Sequence, residues 1–173
     1  MYHSPFYEML YRINAEPAWR SILRWPSPDL HMKDIEILLR AFAMLIKGTN
    51  YAPSMVKFLN QFSKKCEAHS VEQNDYLREL FTSFLDACEG LPEDAFINKK
   101  TKRFNIALLE AVFTAACKKA LAERRILDGT VRGDALATLE NDEEFLTASL
   151  EGTTRTANVE LRLSRAEALI DAL

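Results

Sequence analysis

Apolar residues recur three and four positions apart along most of this chain, and the clearest run lies within residues 32–62. There Ile35, Leu38, Leu39, Phe42, Leu45 and Ile46 have the spacing that puts them on one face of a helix. Asp34 and Glu36 fall in its first turn, where carboxylates suit the positive end of the helix dipole, and Lys47 with Gly48 gives a stop. After a turn through Asn50 and Pro53, Ser54 is placed to cap a second helix striped by Met55, Phe58, Leu59 and Phe62. These two helices are expected to form a hairpin around which the chain is organised, with Arg40 and Asn60 as polar residues close to its buried faces.

The same pattern predicts the other elements. Ser4 and Pro5 open a first short helix bearing Phe6, Met9, Leu10 and Ile13, and Pro17 opens a second bearing Trp19, Ile22 and Leu23. Pro26 and Pro28 then force a loop. Ser70 with Gln73 three residues on has the spacing of a capping box, ahead of Tyr76, Leu77, Leu80, Phe81, Phe84 and Leu85, and Gly90 and Pro92 end that helix. Periodicity lapses over residues 91–104, which are expected to form the longest loop. A strong helix follows through Ile106, Leu109, Val112, Phe113, Ala116, Cys117 and Leu121, stopped by Gly129. Asp134 and Asn141 are expected to cap two brief helices, Gly152 interrupts the pattern, and an amphipathic tail runs through Val159, Leu163, Ala166, Leu169, Ile170 and Leu173. The fold class is all-α: a single domain over residues 1–173, an irregular bundle of about seven or eight helices.

Composition narrows the possible partners. A chain of 173 residues, 48% of them hydrophobic, suffices for one real core. Its net charge of -3, with both signs interspersed, makes no whole-chain demand for a nucleic acid or an anionic membrane. Cys66, Cys88 and Cys117 are odd in number and lie within helical patterns, which argues against a disulfide framework and for a reducing, cytoplasmic setting. There is no run of about 18 apolar residues and no basic-then-apolar start, so no membrane association is expected.

Candidate chemistry is sparse. His3, His31 and His69 are scattered, and no CxxC, HExxH or calcium-loop spacing occurs, so no metal is expected. None of the five glycines forms a phosphate-cradling motif, so no nucleotide cofactor is expected either. Cys117 lies on an apolar helical face and reads as a small buried hydrophobe. Asp34 and Glu36 diverge by about 200° around a helix, too far to share a substrate. Glu36 and Arg40, four apart in the favourable order, support an ion pair of about 0.2–0.5 kcal/mol if exposed. Lys99, Lys100, Lys102 and Arg103 form the densest positive run, a candidate for gripping DNA phosphates, although such a run also serves simply as a solvated loop. No catalytic set emerges, and the chain is not expected to be an enzyme. A deep pocket joining Glu36 and Arg40 to another titratable group would reverse that.

Four segments carry a resemblance. They are Tyr2-His3-Ser4-Pro5-Phe6 with Leu10; Met32-Lys33-Asp34-Ile35-Glu36 with Leu38-Leu39-Arg40-Ala41-Phe42; residues 55–62, ending Phe58-Leu59-Asn60-Gln61-Phe62; and residues 145–162 through Gly152-Thr153-Thr154. In this order they resemble the helical second half of the ParB/sulfiredoxin-like domain family, found at the N-terminus of GmrSD-type modification-dependent restriction enzymes and related phage-defence proteins. Members of that family carry, before this region, an α/β half with an Asp-Gly-Gln-Gln-Arg type motif linked to nucleotide binding and hydrolysis. This sequence has no such motif. The resemblance therefore implies the helical part alone, as a fragment, a split gene product or a standalone protein, and brings no NTPase or nuclease activity with it.

What the resemblance implies is a scaffold role, with Asp34, Glu36 and Arg40 near the junction with the α/β half; Asn60, polar and close to the hairpin's buried faces, is a further candidate interface residue. The expected function is a non-catalytic module of a restriction or anti-phage protein. Its partner is an α/β NTPase or nuclease half, or a second copy in a homodimer. Independent DNA binding through the basic loop 99–103 is the alternative. A module built for a partner is expected to expose an apolar patch beyond a few hundred Å², around the first two helices and the central hairpin.

Overall fold

Serine caps open three of the helices in the computed structural model, which describes residues 3–170. Ser4 accepts from the Tyr7 N–H to open α1 (Pro5–Asn14), with Pro5 at the position where a missing N–H costs nothing. Ser54 does the same for α4 (Met55–Cys66) through the Lys57 N–H. Ser70 and Gln73 form the full reciprocal capping box of α5 (Val71–Ala87). Between them lie α2 (Pro17–Leu23), α3 (Lys33–Lys47) and a 3-10 turn at Gly48–Asn50. The C-terminal part adds α6 (Ile106–Ala122), α7 (Gly133–Glu140), α8 (Glu143–Leu150) and α9 (Thr156–Leu169). The described residues thus hold nine α-helices and no strand, an all-α bundle with one or two helices more than the pattern predicts. Of the residues invoked from sequence, Tyr2 and Leu173 lie outside the described residues.

Three boundaries differ from expectation. Arg132, not Asp134, precedes α7; Asp134 sits in its first turn and pairs with the Arg132 guanidinium. Asp142 caps α8 by accepting from the Phe145 N–H, while Asn141 closes α7. Helix α6 ends at Ala122, well before Gly129, because Arg124 adopts a left-handed φ of 52°. The Arg125 N–H then reaches the Ala120 carbonyl and the Arg124 N–H the Leu121 carbonyl, the paired bonds of a Schellman cap. The Tyr76 hydroxyl donates to the carbonyls of Ala120 and Arg125 at 3.2 and 2.9 Å and seals the same end. A side chain at a left-handed cap is strained where glycine is not. Arg124→Gly is therefore expected to raise stability by about 1 kcal/mol, read as a shift of the urea midpoint at unchanged slope.

The hairpin of α3 and α4 forms, but α3 packs most extensively on α6, which in turn carries α9. Helix α1 wedges between α3 and α5, and α7 and α8 reach the rest mainly through α9. At the centre Phe113 meets Phe42, Phe81 and Phe84 with ring centroids 5.6, 5.2 and 5.1 Å apart. These edge-on and tilted contacts are the favoured geometries for aromatic pairs. One hydrophobic cluster runs from Phe6 in α1 to Ile170 after α9. Among the described residues no helix is long and apolar enough to cross a membrane.

Residues 91–104 lie in the long loop expected of them, within the connection from α5 to α6, and that loop is internally ordered. Ile97 and Phe104 pair as an isolated antiparallel bridge, the Asn98 N–H donates to the Arg103 carbonyl at 2.8 Å, and the Asn105 N–H donates to the Phe96 carbonyl at 2.7 Å. The Asn98 side chain accepts from the Lys100 and Thr101 N–H groups, and Lys102 closes the turn with a φ of 59°. The basic run is thus the tip of a tight hairpin-like turn, delivered into α6 by the cap at Asn105.

Candidate functional site

The turn tip leans over a cleft of about 920 Å³, open on one side. One wall is the turn itself, with Lys99, Lys102 and Arg103. The end of α2 and the start of α3 add Arg24, Trp25 and Lys33 to the lining, and Glu93 and Asp94 complete its charged residues. Leu23, Ile37 and Phe104 give the cleft an apolar floor. That floor is fixed from behind, because the Phe104 ring stands edge-on to the buried Trp19, with centroids 6.2 Å apart.

Charge in the cleft is unevenly neutralised. Arg24 pairs with Glu93 at 3.2 Å and Lys99 with Glu140 at 3.8 Å, both partly exposed pairs of small energetic weight. Among the described residues no ion pair holds Lys33, Lys102 or Arg103, and all three are exposed. Lys100 is exposed at the turn tip but does not line the cleft.

Directly behind Lys33 the chain buries a polar network. Asp34 accepts from the Arg20 guanidinium at 2.7 Å, from the Asn14 amide at 3.0 Å and from the Asp29 N–H at 3.0 Å, all on one carboxylate oxygen. The Ile35 N–H reaches the other oxygen at 2.9 Å. Asn14 in turn accepts from the Trp19 indole N–H at 3.1 Å and from Arg20. Burial pushes the Asp34 carboxyl up, but these hydrogen bonds outweigh it and leave the group below its ordinary value. The network ties α1, α2 and the start of α3 into one rigid wall.

A second buried network lies farther along α3. Arg40 donates to Glu110 of α6 at 2.5 Å. Arg162 of α9 donates to the carbonyls of Ala148 and Thr153 at 2.6 and 2.9 Å, and Tyr51 donates to the Thr154 carbonyl at 2.6 Å. Burial holds the Arg162 guanidinium below its ordinary value and the Tyr51 phenol above its own. These bonds pin the segment between α8 and α9 onto the core.

The interface residues expected from sequence therefore do not converge. Asp34 is consumed inside the chain, Arg40 turns to Glu110, and Glu36 and Asn60 are exposed on separate helices. The expected Glu36–Arg40 pair does not form, because a buried carboxylate across the α3–α6 contact offers Arg40 a less hydrated partner. Asn60 also departs from its expected place near a buried face. Of the basic run, Lys102 and Arg103 come together with Lys33 and Trp25, which sequence reasoning did not single out. Glu110 was legible in principle as the lone charge in the apolar stretch of residues 106–117.

Exposed apolar side chains are few around the first helices and the hairpin. The inner faces of α1 to α4 are covered within the chain. Large apolar side chains that stay exposed near them are Leu30, 95% accessible, with Met32, on the loop that carries Trp25 into the cleft, and Val56 on α4. Leu146 and Leu150 form a second exposed pair, one turn apart on α8.

The remaining candidates for chemistry stay separate. Among the described residues no three His, Cys, Asp or Glu side chains are grouped to hold a metal. All three cysteines are buried and unpaired, and burial pushes the Cys66 and Cys88 thiols up to about 12, so they are protonated at neutral pH. No protein-family model matches this chain, and no curated protein or solved structure matches it either.

Proposed function

We propose that this chain is a non-catalytic helical module of a restriction or anti-phage defence protein, packing against an NTPase or nuclease half through the face that carries the cleft. The observation that supports it is Leu30: a large apolar side chain 95% exposed, beside Met32 and at the start of α3. The resemblance assigns the junction to this same part of α3. The polar candidates nearby also favour a binding role. Asp34 is locked into the α1–α2–α3 wall and Arg40 into the α3–α6 contact, where both hold geometry rather than face a substrate.

The face combines a small apolar knob with a rim of free cations, the mixed chemistry of a non-obligate interface. It fits a partner surface that offers a pocket for Leu30. Light scattering on the chain mixed with a separately expressed α/β half tests this reading. A stable mixed complex is expected, and Leu30→Asp is expected to weaken it about tenfold or more without unfolding the chain, since Leu30 contributes nothing to the core. A folded chain that forms no mixed complex would overturn the reading.

A further inference from the structure

We infer that the cleft between the hairpin-like turn and the start of α3 binds single-stranded nucleic acid, with Lys33, Lys102 and Arg103 holding the phosphodiester backbone and Trp25 stacking on a base. This goes beyond the packing role, and the alternative read from sequence placed DNA contact on the turn tip alone.

Three observations carry it. First, the unpaired cations line one cleft from two separate segments, Lys33 from the start of α3 and Lys102 with Arg103 from the turn. Salt bridges leave Arg24 and Lys99 less available, so Asp94 is the one unpaired carboxylate opposing them, and the cleft keeps a positive surplus. Such a surplus attracts polyanions and releases their counterions. Second, the lining is partly aromatic, with Trp25 half-buried and Phe104 held in place by Trp19. An aromatic platform beside a cationic track is the arrangement that binds single strands, because every base has a face to stack. Third, a duplex turns its bases inward and would meet the cations while leaving Trp25 without a base to stack on.

The rigid backing suits this role. Lys102 and Arg103 are set by a turn closed through Asn98, and Lys33 immediately precedes the residue fixed by the buried Arg20 and Asn14. Neither wall needs to be ordered by the ligand, so little binding energy is lost to ordering.

The test uses the full chain alone, so its failure leaves the packing role standing. Fluorescence anisotropy would follow a labelled oligothymidylate, the same oligonucleotide annealed to its complement, and polyglutamate as an acidic peptide. Three backbone contacts predict that log affinity falls with log salt at a slope of about -2 for the single strand. The duplex is expected to bind more weakly. Lys33→Gln, Lys102→Asn and Arg103→Gln together are expected to weaken binding about tenfold or more and flatten the slope, with asparagine chosen because it tolerates the left-handed φ. Trp25 gives an independent readout: stacking should quench tryptophan emission, and Trp25→Phe should abolish the quench while the buried Trp19 still reports a folded chain. Duplex binding as tight as the single strand, or binding unchanged by the triple variant, would overturn the inference. Polyglutamate bound equally well with no quench would assign the cleft to an acidic protein partner instead.

Discussion

Asp34→Ala is expected to cost about 3–5 kcal/mol of folding stability, the loss typical when one partner of a buried ion pair is removed. The carboxylate is fully buried and serves four donors on three elements: Asn14 of α1, Arg20 of α2, and the Asp29 and Ile35 amides around the start of α3. Arg20 already has Nε and Nη1 without partners, so it has no spare acceptor to turn to. Removing Asp34 leaves a guanidinium in the core with only Asn14 to accept from it.

The acid limb of stability carries the signature of the same group. The folded carboxyl lies below its ordinary value, so its contribution is complete above the unfolded value of about 3.9 and is lost as pH falls through the folded one. Asp34→Asn keeps the shape but removes the titration, and should flatten the loss of stability below about pH 4. Urea unfolding at neutral pH and along an acid series checks both statements. An alanine variant within about 1 kcal/mol of the parent at neutral pH would mean that the network contributes little to stability.

Local signals made the helices legible, and long-range pairing kept the site hidden. Ser4, Ser54 and Ser70 could be read as caps because a cap is chosen by residues three apart. The α3 stripe was equally visible, yet Ile37, Ala41, Ala43 and Met44 are buried too, since α1, α4 and α6 surround the helix and a central helix needs no polar face. Arg20 and Asp34 are 14 residues apart, Arg40 and Glu110 are 70 apart, and no periodicity connects such pairs. The basic run was visible as charge, but not the closure through Asn98 that makes it one wall of a cleft. Lys33 gave no signal at all beyond its position at a helix start. Around the first two helices and the central hairpin the exposed large apolar residues are Leu30, Met32 and Val56, while α5 and α6 cover the inner faces.

Glu110 provides the second large effect. It is the only charge among residues 106–117, is almost completely buried, and faces two guanidinium groups, Arg40 and Arg162. Glu110→Ala should lower stability by about 3–5 kcal/mol, because Arg40 loses the carboxylate that neutralises it and the cluster is left doubly positive. The paired change Arg40→Met with Glu110→Met separates the two dependences. Apolar side chains of similar volume often replace a buried ion pair at little cost, so recovery to near the parent would show that Arg40 alone needs Glu110. A double variant that stays unstable would show that Arg162 needs it as well. Its two carbonyl acceptors satisfy hydrogen bonds but carry no net charge. Urea unfolding of the two single variants and the double variant completes the cycle. Dependence of Arg162 would make the α3–α6 pair the anchor of α9, and through it of α7 and α8, since those helices reach the core mainly by that route. In that case Glu110→Ala should raise hydrogen exchange across residues 133–169 before it does so in α1 or α5.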